Sequence, residues 1–177
     1  MMKWLGRAAI ILVVIGAGVW AWTYFFPRPE KAIRKRMLAL AQAASFGSGE
    51  SIVSKGLAIN ELVEMFTDDV EISVDVQGLE RATLSSKEDL RAQATIVRNG
   101  LRGLSVEFLD ITVTLTPNKQ SAVVNLTAKI RIPSQKEFFP QELKFSLKKV
   151  DGKWLIRRVE TVRTLSMRAK TIAGFLA

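Results

Sequence analysis

Apolar positions along the chain follow three patterns in succession: an unbroken run, then a helical period, then mostly strict alternation. Nothing is charged from Ala8 to Phe26, and AAIILVVIGAGVWAWTYFF would make a helix about 28 Å long at roughly 1.5 Å per residue. A hydrocarbon core is about 30 Å thick, so the run predicts one transmembrane helix over about 4–26. A helical period then takes over. Ile33, Met37, Leu40, Ala41 and Ala44 stripe a helix over 29–46, which Gly47-Ser48-Gly49 should end. After a polar loop through Ser54, the apolar residues Ile59, Leu62, Val63 and Phe66 stripe a second helix over 57–66. Ser85 and Glu88 read as a capping box, and Leu90, Ala94, Val97 and Leu101 stripe the helix behind it until Gly100 and Gly103.

Period two marks the strands. Val70, Ile72, Val74 and Val76 alternate with polar residues after the Asp68-Asp69 turn, and Gly78 closes that strand. Leu104, Val106 and Phe108 keep one phase while Leu109, Ile111, Val113 and Leu115 keep the other, which predicts a β-bulge near Phe108-Leu109. Pro117-Asn118-Lys119 is a turn. Even-numbered residues from Ala122 to Ile132 are apolar, and Pro133-Ser134 breaks the run. Leu143, Phe145 and Leu147 form the next strand, Asp151-Gly152 is a hairpin turn, and Trp154 to Val162 returns. Leu165, Ala169, Ile172 and Leu176 then stripe a short amphipathic tail. The chain divides into an anchor (1–27), a domain (28–164) and a tail (165–177). The domain is α+β, with three helices on a bent, mostly antiparallel sheet.

Aromatic residues flank the expected span. Trp4 stands at one end, and Trp20, Trp22 and Tyr24 stand at the other, where amphipathic rings favour the headgroup zone. Arg28, Lys31, Arg34 and Lys35 follow at the membrane interface. A cleaved signal peptide is the alternative, with Lys3 and Arg7 as its basic start, but the aromatic segment favours an uncleaved signal-anchor. Positive charges beyond the span favour a cytoplasmic domain by simple count. The basic start favours a periplasmic or extracellular one, which is the expectation adopted. Of the net charge of +9, residues 1–36 supply +6, so the basic balance points to lipid headgroups and not to nucleic acid. Cysteine and histidine are absent, which removes disulfides, thiol chemistry and the usual neutral-pH acid–base group.

The order of elements, with the closing LKKVDGKWLIRRVETV (Leu147 to Val162), resembles the nuclear transport factor 2-like superfamily and its polyketide-cyclase-like (SnoaL-like) branch. The resemblance implies a cone of three helices on a curved sheet. That superfamily spans isomerases, dehydratases, transport factors, binders and membrane-anchored secretion components, so it implies no single activity. Its enzymes place an acid, a His or a Tyr inside the cone. The inward positions read from the alternation hold no ionisable group. Two places keep catalysis open. Glu107 sits beside the expected bulge, and Arg158 and Glu160 share the phase of Trp154 and Ile156 unless that strand bulges to turn Val159 inward.

The reading that follows is a membrane-anchored, non-enzymatic binding or scaffold module, with no catalytic residue, metal or cofactor assigned. Its partners would be the lipid bilayer, a second copy or a membrane protein of an envelope assembly, and an apolar small molecule. The alternative is a small-molecule isomerase or hydrolase using Glu107 or Glu160, with Arg158 orienting the substrate.

Overall fold

The computed structural model describes residues 28–74, 82–133 and 138–162. The expected span over 4–26, Val76, Gly78, Ser134 and the tail 165–177 lie outside the described residues. Among the described residues no helix is long and apolar enough to cross a membrane.

Three helices, α1 (Pro29–Ala44), α2 (Ile52–Val63) and α3 (Lys87–Gly100), pack on one sheet. Its strands are β1 (Phe66–Val74), β2 (Ala82–Leu84), β3 (Ser105–Leu115), β4 (Ser121–Arg131), β5 (Phe138–Val150) and β6 (Lys153–Thr161). The order across the sheet is β2-β1-β6-β5-β4-β3. Neighbours are antiparallel except β1 and β6, which run parallel. The sheet is curved and mixed, and the helices close one side of it to make a cone.

Local hydrogen bonds shift the helix ends from the apolar stripes. α1 ends at Ala44, before the glycines, because the Ser45 hydroxyl donates to Ala41 O at 2.7 Å and accepts from Val106 N at 2.9 Å. Phe46 then pairs with Leu104 in an isolated bridge. α2 starts at Ile52, inside the segment expected to be loop, because the Ser51 hydroxyl accepts from Ser54 N at 3.1 Å and caps the helix. The third cap is Ser86 and not Ser85: its hydroxyl accepts from Asp89 N, and Asp89 in turn accepts from Ser85 N. β2 has only three residues, too few to display a period.

Bulges set the strand phases. β1 begins at Phe66, and Asp68-Asp69 lie within it, in a register shift between Phe66↔Ile156 and Glu71↔Arg158. The β3 bulge falls between Leu109 and Thr112, slightly beyond the expected dipeptide, with Asp110 at φ 52°. A second bulge in β6 corrects the phase assigned to Arg158 and Glu160. Ser146 pairs with Arg158 while Leu147 pairs with Ile156, so Arg157 is the extra residue. Arg157 and Arg158 are both exposed, and burial resumes at Val159.

The core forms between the helices and the inward sheet face. Ile33 and Met37 of α1, Ile59 and Val63 of α2, and Leu90 of α3 meet Val70, Val124, Phe145, Ile156 and Trp154. Asp151 and Gly152 join β5 to β6 with φ values of 48° and 78°, the pairing expected of a two-residue hairpin turn. Gly152→Ala should therefore cost about 1 kcal/mol, because a side chain strains the left-handed turn. Gly56 lies inside α2 with open space at its Cβ position, so Gly56→Ala should gain about 0.5–1 kcal/mol. Paired denaturant titrations would show the opposite signs.

Candidate functional site

A general acid or base inside the cone would have to stand on the inward face of the sheet. Ala122, Val124, Leu126 and Ala128 of β4 and Leu143, Phe145 and Leu147 of β5 are all buried, and the Phe108 and Phe145 rings meet at a tilt of 58° with centroids 5.9 Å apart. Among the described residues the buried polar or charged side chains are Thr67 and Arg98, and neither is a carboxylate. No three acidic side chains gather closely enough, among the described residues, to hold a metal ion.

The outward face carries the charge. Strand register aligns Thr83, Ser73, Glu160, Lys144, Asn125 and Thr112 in one polar row across all six strands. Arg158 pairs with Glu71 of β1 and lies 3.7 Å from Glu160, which lies 3.7 Å from Lys144 of β5. Glu71, Ser73, Thr83, Arg158 and Glu160 line an open hollow of about 400 Å³. Of the candidate residues, then, Arg158 and Glu160 come together, but on the outer face. Glu107 is separate and exposed, directly across from Lys129 in register, and lines a groove between α1 and β3. Of the interface residues, Arg28, Lys31, Arg34 and Lys35 are exposed on α1 and its start; Trp4, Trp20, Trp22 and Tyr24 lie outside the described residues.

At the base of this face, Asp69 is held below the usual carboxylate range. A hydrogen bond from the Thr67 side chain is the main cause, and Arg157 at 3.3 Å adds to it. In α1, burial lowers the pKa of Arg36, while Glu61 and Glu64 oppose that shift.

Arg98 is the buried charge that pattern reading missed. It lies only 5% exposed, bonded to Glu50 at 2.7 Å and to the carbonyl of Ala43, with its guanidinium 4.9 Å above the Phe46 ring. One side chain thereby ties α3 to the C-terminal end of α1, where free carbonyls favour a cation. Its spacing was a signal: Arg98 follows Leu90 and Ala94 at intervals of four on the stripe face of α3, whereas Val97, expected inside, is 37% exposed. All three contacts are made within the fold and fasten α3 to α1 and the loop after it.

At the level of sequence no family model matches the chain, and no curated protein matches it either. Solved structures do match in fold. A nuclear transport factor 2-like protein with a cystatin-like fold from Novosphingobium aromaticivorans is 16% identical, with TM-score 0.61 over 88% of this chain and 96% of that one. A nuclear transport factor 2-like protein of unknown function from Pseudomonas putida KT2440 is 14% identical, with TM-score 0.60 over 84% and 95%. A second Novosphingobium aromaticivorans protein, provisionally named a scytalone dehydratase, is 17% identical, with TM-score 0.57 over 77% and 84%. The fold is thus that of the nuclear transport factor 2-like proteins.

Arg98→Ala should destabilise the chain by about 3 kcal/mol, because it strands Glu50 and the Ala43 carbonyl, and Glu50→Gln should cost less. Denaturant unfolding of both variants measures the difference. Thr67→Val should raise the Asp69 pKa toward the ordinary carboxylate range in a carbon-detected NMR titration. The stability that Asp69 contributes exists above its unfolded pKa and is lost as pH falls through the lower folded value, so in this variant that contribution should shrink and less stability should be lost on acidification. An unmoved pKa would assign the depression to the backbone hydrogen bond at Asp69 with Arg157 and Lys148.

Proposed function

We propose that this nuclear transport factor 2-like cone is a membrane-attached, non-enzymatic binding module whose ligand is an apolar small molecule or a partner protein. The observation that carries the reading is the partition of polarity. The described inward positions are apolar, and Glu71, Glu107, Arg158 and Glu160 stand on exposed surfaces. An acid acting as general base near neutral pH needs desolvation or a like charge to raise its pKa, and an apolar wall without a carboxylate supplies binding without proton transfer. Membrane attachment rests on the uncharged run from Ala8 to Phe26 and the cations that follow it. The basic start favours display on the periplasmic or extracellular side. The outer sheet face offers a surface to a second copy or an envelope partner.

One observation favours a second reading, an isomerase or hydrolase. Glu71 and Glu160 converge on Arg158 at the 400 Å³ hollow, where the arginine would orient an anionic substrate. The two readings separate cleanly. The full chain in lipid nanodiscs should take up an apolar fluorescent probe to saturation, without turnover of ketone or ester substrates. Glu107→Gln and Glu160→Gln should leave uptake unchanged. Turnover that disappears in either variant would falsify the binding-module reading.

A further inference from the structure

We propose that the end of the cone formed by the start of α1 and two hairpin turns is a docking surface for anionic phospholipid headgroups, an inference that rests on the membrane-attached reading above. The chain itself carries the cations there by two separate routes. Arg28, Lys31 and Arg34 lie on or just before the first turns of α1 and are exposed. Lys119 sits in the turn between β3 and β4, and Lys149 and Lys153 flank the turn between β5 and β6; all three are exposed.

Backbone bonds show that these routes meet. Lys149 N donates to Gln120 O at 2.8 Å, which places the two turns side by side. Arg36 donates to Glu64 O at 3.2 Å, and the neighbouring Met65 O accepts from Ile156 N at 2.9 Å. The middle of α1 is therefore level with Ile156, three residues into β6. The far end of α1 is fixed at the start of β3 by the Ser45–Val106 and Phe46–Leu104 bonds, and that start pairs with Arg131, away from the turns. The first residues of α1 must then run toward Lys153. Eight helical residues rise about 12 Å and three strand residues about 10 Å, so Arg28 comes level with the turn.

Six exposed cations thus share one end with the acids Glu30 and Asp151, and none of the six has an ion-pair partner among the described residues. Three other basic side chains of the sheet are occupied, Arg157 by Asp69, Arg158 by Glu71 and Lys144 by Glu160, whereas Lys148 on β5 and Arg131 at the opposite end of β4 are exposed without an ion pair among the described residues. The occupant follows from continuity. The uncharged run ends at Phe26, two residues before Arg28, so a bilayer holding that run lies against this end. Each lysine at an anionic surface adds attraction that falls off within roughly 8–10 Å, which turns at the same level as Arg28 satisfy.

The chain has no cysteine, so single spin labels can be placed in the full chain at Gln120→Cys, beside the turns, and at Arg102→Cys, near the opposite end. In phosphatidylcholine vesicles doped with phosphatidylglycerol, a headgroup-chelated paramagnetic ion should relax the label at 120 severalfold more than the label at 102. That contrast should vanish in pure phosphatidylcholine, in high salt and in K119Q/K149Q/K153Q, each lysine lost lowering the docked-to-free ratio by roughly fivefold. Flotation with both vesicle types but equal relaxation at the two labels overturns the docking surface and leaves the anchor standing. Failure to float with phosphatidylcholine overturns the anchor. Lysine-dependent binding to the anionic vesicles then supports the surface on its own, and no binding overturns both. Retention on duplex DNA in preference to anionic vesicles overturns the lipid assignment.

Discussion

Strand β6 is held on one edge by β5, antiparallel, and on the other by β1, parallel. The second contact joins segments almost ninety residues apart, as in the Glu71↔Arg158 pair. Both registers have to close over the same nine residues, and both are irregular: β1 shifts after Phe66 and β6 bulges at Arg157. Side chains alternate along a strand, so one extra residue exchanges the two faces beyond it. Trp154 and Ile156 enter the core before the bulge and Val159 enters after it, which leaves Arg158 and Glu160 on the outer face. The placement of every charged candidate on the last strand depends on that single residue.

Polarity on the two faces then follows from solvation. Burying an unpaired carboxylate costs several kcal/mol, whereas exposed pairs such as Arg158–Glu160 and Lys144–Glu160 contribute at most about 1 kcal/mol each. These pairs are therefore poor sources of stability; Lys144–Glu160 and Glu71–Arg158 join residues directly opposite one another on adjacent strands, whereas Arg158–Glu160 runs along β6. The core is left to aliphatic and aromatic packing of the helices against the inward wall.

The helices show the opposite economy. Arg98 is a charge kept inside because three different partners meet it: a carboxylate, a helix-terminal carbonyl and an aromatic face. Its position also brings the loop containing Phe46 and Glu50 against α3, while the Ser45 hydroxyl ties the same end of α1 to β3. One end of the cone is thus fastened by buried, paired polarity. The other end, at the hairpin turns, carries exposed cations that have no ion-pair partner among the described residues.

Periodicity alone determined the kinds and order of the main elements. The stripe through Ile33, Met37 and Leu40, the alternation from Ala122 to Ile130, the phase slip in β3 and the Asp151-Gly152 turn are local facts that survive folding because each is repeated over several residues. The resemblance carried by the last hairpin likewise held at the level of fold. Tertiary structure decided what depends on a distant partner. β2 exists only as a neighbour of β1, the end of α1 is set by Val106 sixty-one residues on, and Arg98 is inside because Glu50, Ala43 and Phe46 converge on it. The faces of Arg158 and Glu160 belong to the same class. In W-L-I-R-R-V the apolar spacing goes from two to three, so a bulge was already written in the pattern. Choosing it over a regular strand required the registers of β5 and β1, which close on β6 only in three dimensions.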